Sequence, residues 1–425
     1  MSHQATYRWS STRRVLWPVV LACLASVSQV AAIAVANETG QLVGHAVSYK
    51  QSQSVVVEAP GSRLPAGESV AVLPVIDGRE VACRAARAWP PARALRARAK
   101  TIVKAYADKD DCAQRAAASL ASFLIHQACH QEDIAAANAL RAYYTRIGLQ
   151  EQLRLSDESV DSLASEQAKQ QAALDAGLKT GVDQSSFERR SLEIQDQRLQ
   201  LISQDRQLRS LLAQLAQTDY ASESVRHEQL DVRATDMDCQ ELKVFALATR
   251  SDLRGWMNLA GQTTPDSVPM LGPLLSTSMG GFGLPLPTMT GLKALLCRPD
   301  LSGVAKSLQR EIQTIIEGQR SEICQAVEEK CLKLQLAYER IELAQSTVES
   351  WQRRLEQLQN LSQLGDPSAS AQATAQLGLL QARFDEIARR LEARVAEVDL
   401  AEAMGGLSRR CCEGQAWLVT SYPQP

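Results

Sequence analysis

Apolar residues recur along this chain at helical rather than strand spacing. Between Asp111 and Thr218 proline is almost absent and glycine occurs only at Gly148, Gly177 and Gly181, so a helical pattern runs with one main interruption, Gly177-Leu178-Lys179-Thr180-Gly181-Val182-Asp183. Beyond it, Leu192 and Leu199, then Leu201, Leu208 and Leu215, repeat every seventh residue, and Ile202, Leu211 and Leu212 thicken the stripe. The pattern predicts two antiparallel helices joined by a short glycine turn. A second such unit follows: a helical stretch from about Ser302 to Asn360, a break at Leu364-Gly365-Asp366-Pro367, and a helix from about Ala369 to Met404 that Gly405-Gly406 stops. The expected fold is therefore all-α, a duplicated long antiparallel helical hairpin, each arm about 40 residues or ~60 Å.

The remaining segments are less regular. Residues 1–36 predict a signal peptide: Arg13 and Arg14 precede the apolar run Val15 to Val27, and Ala34-Val35-Ala36 fits a cleavage site before Asn37. An uncleaved anchor is the alternative, because Val20-Leu21-Ala22-Cys23 loosely resembles a lipobox. Residues 37–105 read as an N-terminal arm, extended and β-like to about Pro91 and then a basic helical opening with Arg93, Arg96, Arg98, Lys100 and Lys104. Residues 106–220 and 301–406 are the two hairpin repeats. Between them, 221–300 hold a helix from Cys239 to Leu259 and a Gly/Pro-rich linker; 407–425 form a tail. Past the leader no apolar run approaches the ~20 residues a spanning helix needs.

Composition narrows the function. Hydrophobic residues make up 45% but aromatic ones only 4%, which suits long helices packed through small side chains. A formal charge of −2 argues against nucleic acid as the main partner. No Ser/His/Asp elbow or phosphate-cradling loop is present, so neither an enzyme nor a cofactor is expected. His126-x-x-Cys129-His130 places imidazoles at i and i+4 beside a thiol, but no second ligand cluster accompanies it, so no metal is expected and the reading is a polar helix face with a disulfide-bonded Cys129.

Three segments together resemble the TolC-like outer membrane efflux family. Gly177-Leu178-x-Thr180-x-x-Asp183 is similar to the turn joining paired helices at the family's periplasmic tip. Ala246 to Arg254, A-L-A-T-R-S-D-L-R, is similar to the segment opening its second repeat, and Asp399-Leu400-Ala401-Glu402-Ala403-Met404-Gly405 to its closing helix. The resemblance covers about 111–406. It implies a homotrimer whose hairpins form a periplasmic tunnel in an exported, outer-membrane-associated protein. The tip residues Gly177, Thr180, Gly181, Asp183, Leu364, Gly365 and Asp366 would meet a periplasmic adaptor or an inner-membrane pump. It also implies strands that close into a barrel, for which the segments around Cys112 to Tyr144 and Leu308 to Leu336 leave no room. A periplasmic coiled-coil scaffold without transport activity is the alternative.

Nine of the ten cysteines follow the leader, all away from the predicted tips, and export makes disulfides their natural state. The candidates are Cys129, Cys239, Cys297, Cys324, Cys331, Cys411 and Cys412. Cys324 and Cys331 lie ~10 Å apart on one helix and cannot join each other, so each would seek another segment such as Cys411-Cys412. An odd total leaves one thiol free or paired between chains.

Overall fold

The computed structural model describes residues 77–175, 184–217, 230, 237–265, 267–268, 301–363 and 369–415. The predicted leader, most of the N-terminal arm, Cys23, Cys297 and all seven tip residues lie outside them. Among the described residues nine helices follow in order: α1 (Gly78–Ala88), α2 (Pro90–Ala105), α3 (Asp111–Asp175), α4 (Gln184–Ala216), α5 (Cys239–Thr249), α6 (Ser251–Gln262), α7 (Leu301–Gln363), α8 (Ala369–Met404) and α9 (Leu407–Cys412). No strand occurs among the described residues.

Helix ends follow local chemistry. Asp77 caps α1 by accepting from the Glu80 amide at 2.9 Å, Asp110 accepts from Ala113 at 2.7 Å, and Asp238 caps α5 through Gln240 at 2.7 Å. Pro90 and Pro91 open α2, where their missing amides cost no hydrogen bond. Gly405 and Gly406 both take left-handed backbone, φ 79° and 77°, which lets the chain leave α8 and re-enter a helix at once.

The repeated fold-back is present. Across α3 and α4 the ion pair Arg146–Asp205 spans 59 residues and Arg198–Asp157 spans 41, while Leu163 meets Ile194. Across α7 and α8, Tyr338–Glu397 spans 59, Arg340–Glu392 spans 52 and the Gln372–Leu358 hydrogen bond spans 14. Both registers shrink toward the segments 176–183 and 364–368, as two antiparallel hairpins require. The arms are unequal, however: 65 and 33 residues in the first, 63 and 36 in the second, instead of about 40 each. With no proline to stop them, α3 and α7 run on past the ends of their partners.

The hairpins lie side by side through α3 and α8, giving the array α4–α3–α8–α7, in which α4 and α7 do not touch among the described residues. Small side chains allow the close approach. Ala135, Ala136 and Ala139 of α3 and Ala393, Ala396 and Ala401 of α8 are fully buried, and Leu391 packs onto Gly148. The sequence stripe on α4 divides: Leu201 and Leu212 turn inward, joined by Ile194 from outside the stripe, whereas Leu192 and Leu199 stay exposed.

Two readings are corrected. The extended arm does not reach Pro91, because residues 78–88 already form α1, whose Val81, Ala82, Ala85 and Ala86 face buries against α3 and α4. Cys239 to Leu259 is not one helix but two. Arg250, at φ −57° and ψ 117°, breaks it, held by its bonds to Asp252 and to the carbonyl of Ala403.

Candidate functional site

The segments 246–254 and 399–406 meet in space. The Thr249 hydroxyl donates to the Met404 carbonyl at 2.6 Å and Arg250 Nη1 to that of Ala403 at 3.2 Å, satisfying two carbonyls that the end of α8 leaves open. Arg250 also forks onto Asp252, at 2.9 and 2.6 Å. Burial works against the Asp252 charge, but Arg250 and His130 outweigh it and hold the carboxyl below its ordinary pKa. From α3, Arg141 Nε reaches Asp399 at 2.7 Å and its Nη2 reaches Glu402, while Lys333 of α7 approaches Asp399 at 3.4 Å. One carboxylate thereby ties α3, α7 and α8 together.

Asp133 completes this junction. Its carboxylate accepts from the amides of Gly406 at 2.9 Å and Ser408 at 2.8 Å and from the Ser408 hydroxyl at 2.7 Å, anchoring α9 across the middle of α3. Burial raises its pKa against the pull of these donors.

Two disulfides flank the junction: Cys83–Cys412 joins α1 to α9, and Cys239–Cys331 joins α5 to α7. Both lie away from the turns, as do all the described cysteines. The expected pairings need correction. Cys331 bonds to Cys239 and not to Cys411 or Cys412, and Cys83, which was not among the candidates, is the partner of Cys412. Cys129, Cys324 and Cys411 are free thiols, because none faces another sulfur once α1 and α5 have taken Cys412 and Cys331.

The His126 and His130 pair also resolves into polar packing. His126 Nε2 lies 3.1 Å from Asn258 Nδ2, His130 Nε2 lies 3.8 Å from Asp252, and Arg96 Nη2 lies 3.6 Å from the Cys129 sulfur. No group of potential metal ligands forms among the described residues. Beside them opens a cleft of 690 Å³ between α1, α2, α3, α6 and α9, lined by Arg87, Arg93, Arg96, Arg254, Arg409 and Arg410 among others. Neither this cleft nor the role of Asp133 is legible in the sequence: the arginines come from three separate stretches, 87–96, 254 and 409–410, and Asp133 carries no signal other than being one acid on an alanine-rich helix.

No family model and no curated protein matches the sequence. Solved structures do match the fold. VceC, an outer membrane protein of Vibrio cholerae, is 13% identical with a TM-score of 0.58 over 77% of this chain and 96% of its own. The open-state outer membrane channel MtrE of Neisseria gonorrhoeae is 12% identical at 0.58, over 78% and 90%. CusC, a protein described for transmembrane channel formation, is 11% identical at 0.58, over 82% and 99%. With its two long hairpins set side by side and locked at one polar junction, this chain has the fold of the TolC-like outer membrane efflux channels.

Proposed function

We propose that the chain is a subunit of an export duct: an exported protein of the periplasm and outer membrane that assembles with copies of itself into a helical tunnel, not an enzyme. The observation that carries this reading is the pair of unfilled edges. On α4, Leu192 and Leu199 are 66% and 63% exposed; on α7, Leu336 and Leu343 are 46% and 68% exposed. Both pairs are seven residues apart, the spacing of a coiled-coil seam. An open array with two different apolar edges joins head to tail, and such contacts close into a ring where the rotation from one copy to the next divides a full turn. A trimer follows from the resemblance, as does contact of the segments 176–183 and 364–368 with a periplasmic adaptor or inner-membrane pump.

Light scattering of the purified protein tests the assembly. The wild type is expected as an oligomer, and Leu199→Glu, which places a charge on the seam, is expected to shift it toward monomer without loss of helix content. A monomeric wild type at tens of micromolar would rule the reading out.

A second reading, a scaffold without transport, draws on the tight turn Tyr106–Asp110, where α2 passes straight into α3 with no strand pair between them. Conductance of reconstituted bilayers separates the two: stepwise currents support the duct, and a silent oligomer supports the scaffold.

A further inference from the structure

We propose that the cleft between α1, α2, α6 and α9 binds a phosphoryl-bearing anion through Arg87, Arg93, Arg254 and Arg409. Each of the four comes from a different helix, so the cluster is built by tertiary packing and is not the polar face of one helix. The Cys83–Cys412 bond holds α1 against α9 and with it the spacing of Arg87 and Arg409. The nearby carboxylates are already engaged: Glu132 is forked by Arg96 at 2.7 and 2.9 Å, and Asp133 is buried under α9 by its three donors. None of the four arginines has an ion-pair partner among the described residues.

Four like charges gathered in one concavity repel each other and favour a counter-charge between them. On the cleft wall, burial and then the Arg254 charge lower the pKa of His126. Guanidinium groups present planar donor forks that match oxyanions. A phosphoryl group concentrates roughly two charges and three acceptor oxygens in one small centre, so a diphosphate can satisfy several forks at once. The 690 Å³ of space admits a diphosphate and an attached group. The source of that chemistry is either a free phosphate compound or the headgroup of an anionic lipid. This inference does not depend on the duct reading.

The test uses the full, oxidised protein. Titration calorimetry with inorganic pyrophosphate, with citrate as a carboxylate of similar charge, is paired with sedimentation on phosphatidylcholine vesicles with and without phosphatidylglycerol. Saturable pyrophosphate binding that weakens with salt supports a free phosphate source. Binding only to phosphatidylglycerol vesicles supports a headgroup. In either case Arg254→Glu and Arg409→Glu should each weaken binding about tenfold or more, whereas Arg353→Glu on the distant part of α7 should not. Arg254→Gln and Arg93→Gln, which remove charge without reversing it, give the same readout if a reversal disturbs folding. Citrate binding as tightly as pyrophosphate, binding unaffected by these substitutions, or no binding to either phosphoryl source overturns the proposal.

Discussion

The carboxylate of Asp133 holds both the amide and the hydroxyl of Ser408, at 2.8 and 2.7 Å, across 275 residues of chain. Asp133 is only 2% exposed, so the donors it accepts from sit in a largely desolvated place. Asp133→Ala should strand three donors and cost about 3 kcal/mol, read as a lower urea midpoint. Asp133→Asn keeps one acceptor oxygen and should cost about 1 kcal/mol. Equal midpoints for the two variants would show that the hydrogen bonds to α9 contribute little.

The neighbouring His130 gives the junction a pH dependence. Burial lowers its pKa, with Arg250 adding to the effect and Asp252, Asp133 and Glu402 opposing it. A base whose folded pKa is depressed takes up its proton more readily in the unfolded chain. Its contribution to stability is therefore complete above the ordinary imidazole value of about 6.5 and is lost as pH falls from there toward the depressed value. His126, lowered by burial and Arg254, acts in the same direction. The unfolding free energy should fall as pH drops from 7 to 5, and His130→Gln should flatten that slope. An unchanged slope in His130→Gln would show that the acid sensitivity arises elsewhere.

Periodicity made the hairpins legible, because an amphipathic helix announces itself in its own residues. Leu201 and Leu212 turn inward as the stripe demands, and the glycine pair at 405 and 406 stops α8 where expected. The segments around Arg250 and Asp399 were noticeable through resemblance, and they touch. What the sequence hid depends on tertiary placement. Cys83 finds Cys412 only because the alanine face of α1 docks onto α3 and α9 folds back after two left-handed glycines. Arg250 breaks a helix that its neighbours favour because the carbonyl of Ala403, 153 residues away, holds its side chain. Such partners leave no spacing to read.

The cysteine pattern predicts a graded reactivity. Cys411 sits next to the bonded Cys412, yet burial pushes its thiol pKa up to about 12, so little thiolate forms at neutral pH. N-ethylmaleimide should label the partly exposed Cys324 of the native protein and reach Cys411 only in denaturant. Peptide mapping without reductant should return Cys83 linked to Cys412 and Cys239 to Cys331. Recovery of Cys83 linked to Cys411 would overturn the assigned pairing. Removing the Cys83–Cys412 bond, whose partners are 329 residues apart, should lower stability by up to ~6 kcal/mol on the chain-entropy argument.

Two glycines within long helices should respond to alanine with opposite sign. Gly318 of α7 faces open space, since nothing lies within 4 Å of where a Cβ would stand. Gly318→Ala should therefore raise stability by about 0.5–1 kcal/mol, because alanine loses less backbone freedom on folding. Gly378 of α8 lies under the Trp351 indole, three of whose ring atoms would stand 2.7 Å from an added Cβ. A rigid ring cannot yield as a flexible side chain does, so α7 and α8 must separate or the indole must leave its place. Gly378→Ala should cost about 1–3 kcal/mol despite the better helix propensity, and it should alter tryptophan emission, which Gly318→Ala leaves alone. If both substitutions stabilise the protein, Trp351 does not pack on α8 and the register of the second hairpin near its turn is different.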